Sequence, residues 1–183
     1  MTRFQGSKLI FIDESGTHLG MARTHGRVLG GERLRMPIPL NKGIRLSMIG
    51  ALGLTEFKSA LLGQWSTDGE IFLGFIQEQV VPQLATGDIV IMDNLSAHKV
   101  AGVKEAIESV GASLLYLPPY SPDFSPIENA WSKMKAYLRK KAARTLEDLT
   151  TAICEAFQQI TPSDIAGWFK HCGYCIQSSE KPL

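Results

Sequence analysis

The chain lacks several features that would assign it to a class at once. Its 183 residues hold only three cysteines, Cys154, Cys172 and Cys175. Three thiols cannot all pair, so a disulfide framework is excluded and a reducing cytoplasm is the expected setting. No charged-then-apolar signal follows Met1, and no apolar run approaches the roughly 20 residues of a membrane span, so no membrane partner is expected. No glycine-rich phosphate loop follows any apolar run, which sets aside a nucleotide-binding doubly wound domain. Internal repeats and low-complexity segments are missing too. Net charge is only +1, so bulk charge selects no partner. His171-Cys172-Gly173-Tyr174-Cys175 offers half of a zinc site. It has no second Cys/His pair at a familiar spacing, and packing of the tail is the preferred reading.

What is present is an ordinary globular composition, 44% hydrophobic and 20% charged, in a length suited to one domain. Its basic residues are unevenly spread. Arg23, Arg27, Arg33, Arg35, Lys42 and Arg45 share their stretch with a single acid, Glu32; Lys133, Lys135, Arg139, Lys140, Lys141 and Arg144 share theirs with none. Such clusters neutralise phosphates, or else form a solvated helix face and a solvated loop.

Lys8–Ser15 reads as a first strand, followed from Thr17 to Gly43 by a basic, glycine- and proline-punctuated interval without clear periodicity. Runs 45–53 and 57–65 predict an antiparallel hairpin. Thr67-Asp68-Gly69-Glu70 reads as a capping box opening a helix with Phe72, Phe75, Ile76 and Val80 on one face, until Pro82. Ile89–Met92 is short, apolar and β-branched, as a strand buried on both faces should be. Val100, Val103, Ile107 and Val110 then stripe a helix stopped by Gly111, and Leu114–Leu117 forms the last strand. Pro118, Pro119 and Pro122 make a rigid connector. Ile127, Ala130, Trp131, Met134, Tyr137 and Leu138 mark the apolar face of the next helix, and capped helices follow from Thr145 and Thr161.

Three acids stand apart. Asp13 interrupts an apolar run, where a buried charge is costly unless a metal, a hydrogen bond or nearby water compensates it. Its neighbour Glu14 faces the other way along a strand and is the weaker candidate. Asp93 falls at the C-terminal end of a strand, where open α/β sheets place ligands. Glu128 follows after 34 intervening residues, in the first turn of a helix. On local sequence alone Ser125-Pro126-Ile127-Glu128 is a capping box, with the glutamate turned back to the backbone. Asp123 reads as a turn residue after Pro122.

Asp93-Asn94 with His98, then Leu117-Pro-Pro-Tyr-Ser-Pro-Asp-Phe-Ser-Pro-Ile-Glu-Asn129, resembles the catalytic domain of mariner-like transposases, in the bacterial insertion-sequence branch whose third acid is Glu. The resemblance spans about residues 8–160. It implies an RNase H-like α/β fold, a five-stranded mixed sheet flanked by helices, in which the first and fourth strands lie parallel and bring Asp13 to Asp93. The expected domain is 1–177, with a basic insertion at about 17–44 used for subunit and DNA contacts and a frayed tail at 178–183. The resemblance further implies that Asp13, Asp93 and Glu128 hold two Mg2+ or Mn2+ ions, Asp13 bridging both. Asn94 and His98 would support Asp93; for His98, hydrogen bonding at the helix start and a place near the scissile DNA are equal readings. The implied activity cuts transposon ends and joins their 3′-hydroxyls to target DNA, usually at a TA dinucleotide, by a homodimer in the DNA complex. Arg23, Arg27, Arg33, Arg35, Lys133, Arg139, Lys140 and Lys141 are the expected DNA contacts. The helix-turn-helix modules such enzymes carry before the catalytic domain are not in this sequence, so it is expected to be the catalytic half alone. The alternatives are an RNase H-like nuclease, or a catalytically silent fragment that binds DNA or intact transposase.

Overall fold

Five strands form one mixed sheet: β1 (Leu9–His18), β2 (Arg45–Leu52), β3 (Phe57–Gly63), β4 (Ile89–Met92) and β5 (Ser113–Tyr116), in spatial order β3-β2-β1-β4-β5. The computed structural model describes residues 8–174. Cys175, the end of the expected domain and the tail at 178–183 lie outside them, so the zinc reading falls partly outside as well. β1 pairs antiparallel with β2, and β2 with β3; β4 runs parallel to β1 and β5 parallel to β4. This mixed sheet with helices on both faces is the expected architecture.

Side chains alternate across the sheet, so each central strand feeds two cores. On one face Leu9, Phe11, Met48, Leu52 and Ile91 meet α3 (Pro126–Lys141), α4 (Leu146–Gln158) and α5 (Pro162–His171) through Trp131, Met134, Ile153 and Phe169. On the other, Ile10, Ile12, Ile49, Val90 and Met92 meet α1 (Gly69–Phe75), its one-turn π-helical continuation Ile76–Val80, and α2 (Val103–Ser109) through Phe72, Phe75, Ile76 and Ile107. Burial on both faces explains why β4 is a continuous apolar run rather than an alternating one. Among the described residues no helix is long and apolar enough to cross a membrane.

Several local expectations shift. α1 is capped by Asp68, whose carboxylate accepts from the N–H groups of Glu70 and Ile71, rather than by Thr67. Aspartate and threonine are both good caps, and the chain enters the helix one residue later. Val100 precedes α2 instead of opening it, because a 3-10 turn at Ser96–Lys99 intervenes and Gly102, at φ 98°, starts the helix. β1 continues to His18, three residues past its predicted end. From 19 to 44 the chain forms no strand or α-helix, only a 3-10 turn at Leu29–Gly31. Past Met21, which is buried in the α3-side core, nearly all of that segment is exposed, including Leu29 (95%) and Leu40 (100%).

Candidate active site

Ile12 and Met92 are paired partners in the parallel β1–β4 ladder, so Asp13 and Asp93 leave the two strands side by side. Both follow by two residues a side chain of the α3-facing core, Phe11 and Ile91, and so leave on that face. Glu128 enters from the first turn of α3. All three line one cleft with Asn94, Leu95, Ser125 and the connector Leu117–Pro122, and its volume is about 400 Å³. Tyr120 stands at the rim, fully exposed, with a left-handed backbone at φ 57°.

Each strand acid is held by protein donors. The indole Nε1–H of Trp131 donates to Oδ2 of Asp13 at 3.0 Å. This contact depends on Gly50, the β2 partner of Asp13, because a Cβ there would lie 2.8 Å from the Trp131 ring. The backbone N–H of Leu95 donates to Oδ1 of Asp93 at 3.0 Å, and Nδ1 of His98 lies 2.7 Å from the same oxygen. The Glu128 carboxylate is not drawn back into a capping box. Ser125 caps α3 without a side-chain hydrogen bond, Pro126 supplies the helical φ at the first position, and Glu128 is exposed.

Burial pushes the Asp13 carboxyl up to about 7, and the nearby charges of Glu128, Glu14 and Asp93 push the same way. A crowd of carboxylates with no cation among them resists ionisation, and a bound cation reverses that logic. The donor set is all oxygen, which suits magnesium or manganese rather than zinc. The residues therefore fit a hard divalent ion. The cage is open, however: among the described residues no three His, Cys, Asp or Glu side chains stand close enough together to hold a metal.

His98 is fully buried and stacked on Phe72, with ring centroids 4.3 Å apart, and lies beside Asp93. Its Nε2 lies 2.9 Å from both oxygens of Glu14. Burial lowers its pKa, but hydrogen bonding and charge from Glu14, with the charge of Asp93, outweigh that and raise it. Acceptors on both ring edges call for protons on both nitrogens. Glu14, set aside on strand parity, is thus a part of the site that sequence reasoning missed; parity was right about direction but silent about what waits on the other face. Asn94 lines the cleft, exposed, and among the described residues makes no hydrogen bond to Asp93. Its expected support comes instead from Leu95 and His98.

The basic residues divide. Arg23, Arg27, Arg33 and Arg35 are exposed on the inserted segment. Lys133 is paired with Asp164 at 2.6 Å and Lys141 with Glu155 at 2.7 Å, while Arg144 donates to the carbonyls of Leu19 and Met21. A stretch without acids in sequence acquires them from α4 and α5. Arg139 is partly buried and Lys140 exposed.

No curated protein sequence matches the chain. Among solved structures, the Mos1 transposase paired-end complex with left transposon end is similar, at 13% identity and a TM-score of 0.72, over 91% of this chain and 52% of that one. The Mos1 transposase catalytic domain with Raltegravir and Mg is similar at 12% identity and a TM-score of 0.65, over 91% of this chain and 78% of that one. The corresponding structure with Mn gives 11% identity and a TM-score of 0.65, over the same shares. The chain spans about half the length of the transposase in the paired-end complex. At these identities the likeness shows the fold. The family model for a DDE superfamily endonuclease, in contrast, matches residues 8–150 of the sequence itself. The chain belongs to the DDE superfamily endonucleases.

Proposed function

We propose that this chain is the catalytic domain of a mariner-like transposase of the bacterial insertion-sequence branch, in which Asp13, Asp93 and Glu128 hold two Mg2+ or Mn2+ ions. The observation that carries the reading is that three acids, from β1, β4 and α3, line one cleft. When bound, such ions supply the positive charge that a phosphodiester needs before an oxygen nucleophile can attack it. Trp131 holds one oxygen of Asp13 and the Leu95 N–H one oxygen of Asp93, fixing both carboxylates at the cleft. The Pro118-Pro119 connector fixes the wall that carries Tyr120 and leads into Glu128. The proposed reaction is hydrolysis at a transposon end followed by attack of the freed 3′-hydroxyl on target DNA. Cytoplasmic location belongs to the same proposal.

The inserted segment is the proposed place for phosphate and subunit contacts. It combines exposed Arg23, Arg27, Arg33 and Arg35 with exposed Leu29, Leu34, Met36, Ile38 and Leu40, a mixture suited to DNA and to a second copy of the chain. Arg139 and Lys140 are proposed as further phosphate contacts. Lys133 and Lys141 contribute less, since each is already matched by a carboxylate.

The test is metal-dependent cutting and joining. Incubation with Mn2+ and duplex DNA bearing the element's terminal repeat should give nicks and strand-transfer products, with neither from Asp93→Asn. Cutting of an RNA–DNA hybrid without joining would make the chain an RNase H-like nuclease. Binding of the duplex with no cutting would make it a catalytically silent DNA-binding protein.

A further inference from the structure

We propose that Glu14 and His98 form one positioning unit that sets the direction of the Asp93 carboxylate. The proposal rests on the reading of Asp93 as a metal ligand and adds two residues which do not themselves face the cleft. β4 ends at Met92, so Asp93 lies beyond the ladder with a side chain 45% exposed, and something else must choose its rotamer. His98 supplies that choice, with Nδ1 at 2.7 Å from Oδ1 and 3.4 Å from the Asp93 carbonyl oxygen. The ring itself is kept from turning. Phe72 covers its face, Tyr116 donates to the His98 carbonyl at 3.0 Å, and both Glu14 oxygens grip Nε2.

Packing alone does not account for this arrangement. Enclosing a polar ring between two carboxylates is costly, and apolar side chains would fill the space against Phe72 at least as stably. Its effect is geometric instead. Asp13 and Glu14 are consecutive on β1, so one strand carries an acid of the cleft on one face and the anchor for the holder of the second acid on the other. The spacing of Asp13 and Asp93 is thereby tied to a single rigid element. Because the Leu95 N–H donates to Oδ1 and the His98 ring sits 2.7 Å from that same oxygen, the unit leaves Oδ2 of Asp93 for the cleft.

The test separates the two edges of the ring. His98→Asn keeps a nitrogen near the Nδ1 position, towards Asp93, and gives up the Glu14 contact; His98→Gln keeps one near Nε2 and gives up Asp93. Mn2+ binding is measured by titration calorimetry on the whole chain, beside thermal melting in EDTA. His98→Gln, which loses Asp93, should weaken Mn2+ binding about 100-fold, as loss of a ligand's outer partner does, and His98→Asn, which keeps Asp93 but loses the Glu14 anchor, about tenfold. Glu14→Leu should weaken it about tenfold, while Glu14→Gln, which keeps an acceptor for the ring, should come close to wild type. This second pair decides the matter if the His98 variants do not fold. Equal losses in each pair, or losses that only follow the drop in melting temperature, would make the unit a core spacer and overturn the proposal. If wild type binds Mn2+ and all variants bind alike, only the positioning unit falls. A wild type that binds no Mn2+ would overturn the metal reading of the cleft and this unit with it.

Discussion

Asp13 and Asp93 leave adjacent parallel strands at the same level, yet the protein holds them by opposite means. Asp13 is still within β1, backed by Trp131 from α3 and surrounded by other acids, and its carboxyl is pushed up to about 7. Asp93 lies past the end of β4, nearer to water, and is held by the Leu95 N–H and the edge of a buried histidine. A strand interior fixes the backbone, and donors from its own chain and from the helix packed on it, the Glu14 N–H and Trp131, orient the carboxylate. A strand end leaves the backbone freer, and a network reaching to the other sheet face orients the carboxylate instead.

The largest effect expected tests the metal-binding role proposed for both acids. Asp13→Asn and Asp93→Asn should each lower Mn2+-dependent DNA cutting at least about a thousandfold, a loss of roughly 4 kcal/mol of transition-state stabilisation. Nicking of supercoiled plasmid at matched protein concentration reads this directly, and cutting retained by either variant would remove that acid from the site.

The next effect belongs to Asp13. A carboxyl raised in the folded state keeps its proton there while the unfolded chain loses its own, so stability falls as pH rises from the ordinary value of 3.8 to about 7. Without metal, the melting temperature should drop across that window, and Asp13→Asn should flatten the drop. Added Mn2+ should restore stability above pH 7 in the wild type only. A flat wild-type profile would mean that Asp13 is better solvated than its surroundings suggest.

Gly50→Ala sharpens the comparison, since its added methyl meets Trp131 and leaves the His98 side untouched. Overpacking of this kind costs about 1–3 kcal/mol. Trp131→Phe removes the donor to Asp13 while keeping most of the packing, and should weaken Mn2+ binding about tenfold. The readouts are the melting temperature and calorimetric affinity; unchanged values would show that Asp13 needs no backing.

The smallest effect concerns charge outside the cleft. The log–log salt slope of duplex binding should flatten by about one unit for each phosphate contact removed. Arg139→Ala and Lys140→Ala should each show this in fluorescence anisotropy. Lys133→Ala and Lys141→Ala should show little, because Asp164 and Glu155 already neutralise them. Equal slopes for all four would mean that these ion pairs open on DNA.

Much of the fold was legible because local physics determined it. The apolar run Ile89–Met92 could only be a doubly covered strand, and Thr145 and Thr161 cap α4 and α5 where the capping pattern put them. The cap of α1 was misplaced because Thr67 and Asp68 are near-equal choices, and only the path of the incoming chain selects between them. At Ser125 the same pattern misled. Pro126 pre-forms the first turn, and the hydroxyl is left without its usual bond.

By itself the sequence determined the elements and their order, since hydrophobic period and proline act over a few residues; the cost of a buried charge marked Asp13, while Glu128 stood out only through the family resemblance. Only the tertiary structure decided what surrounds those acids. Trp131 lies 118 positions from Asp13 and reaches it across the bare surface of Gly50; Glu14 and His98 are 84 positions apart and meet around the end of the sheet. Asp164 and Glu155 come back from later helices to neutralise Lys133 and Lys141. Burial, hydrogen bonding and charge neutralisation depend on distance in space, and at these separations the strand order of the sheet and the docking of α3 to α5 set that distance, not any pattern along the chain.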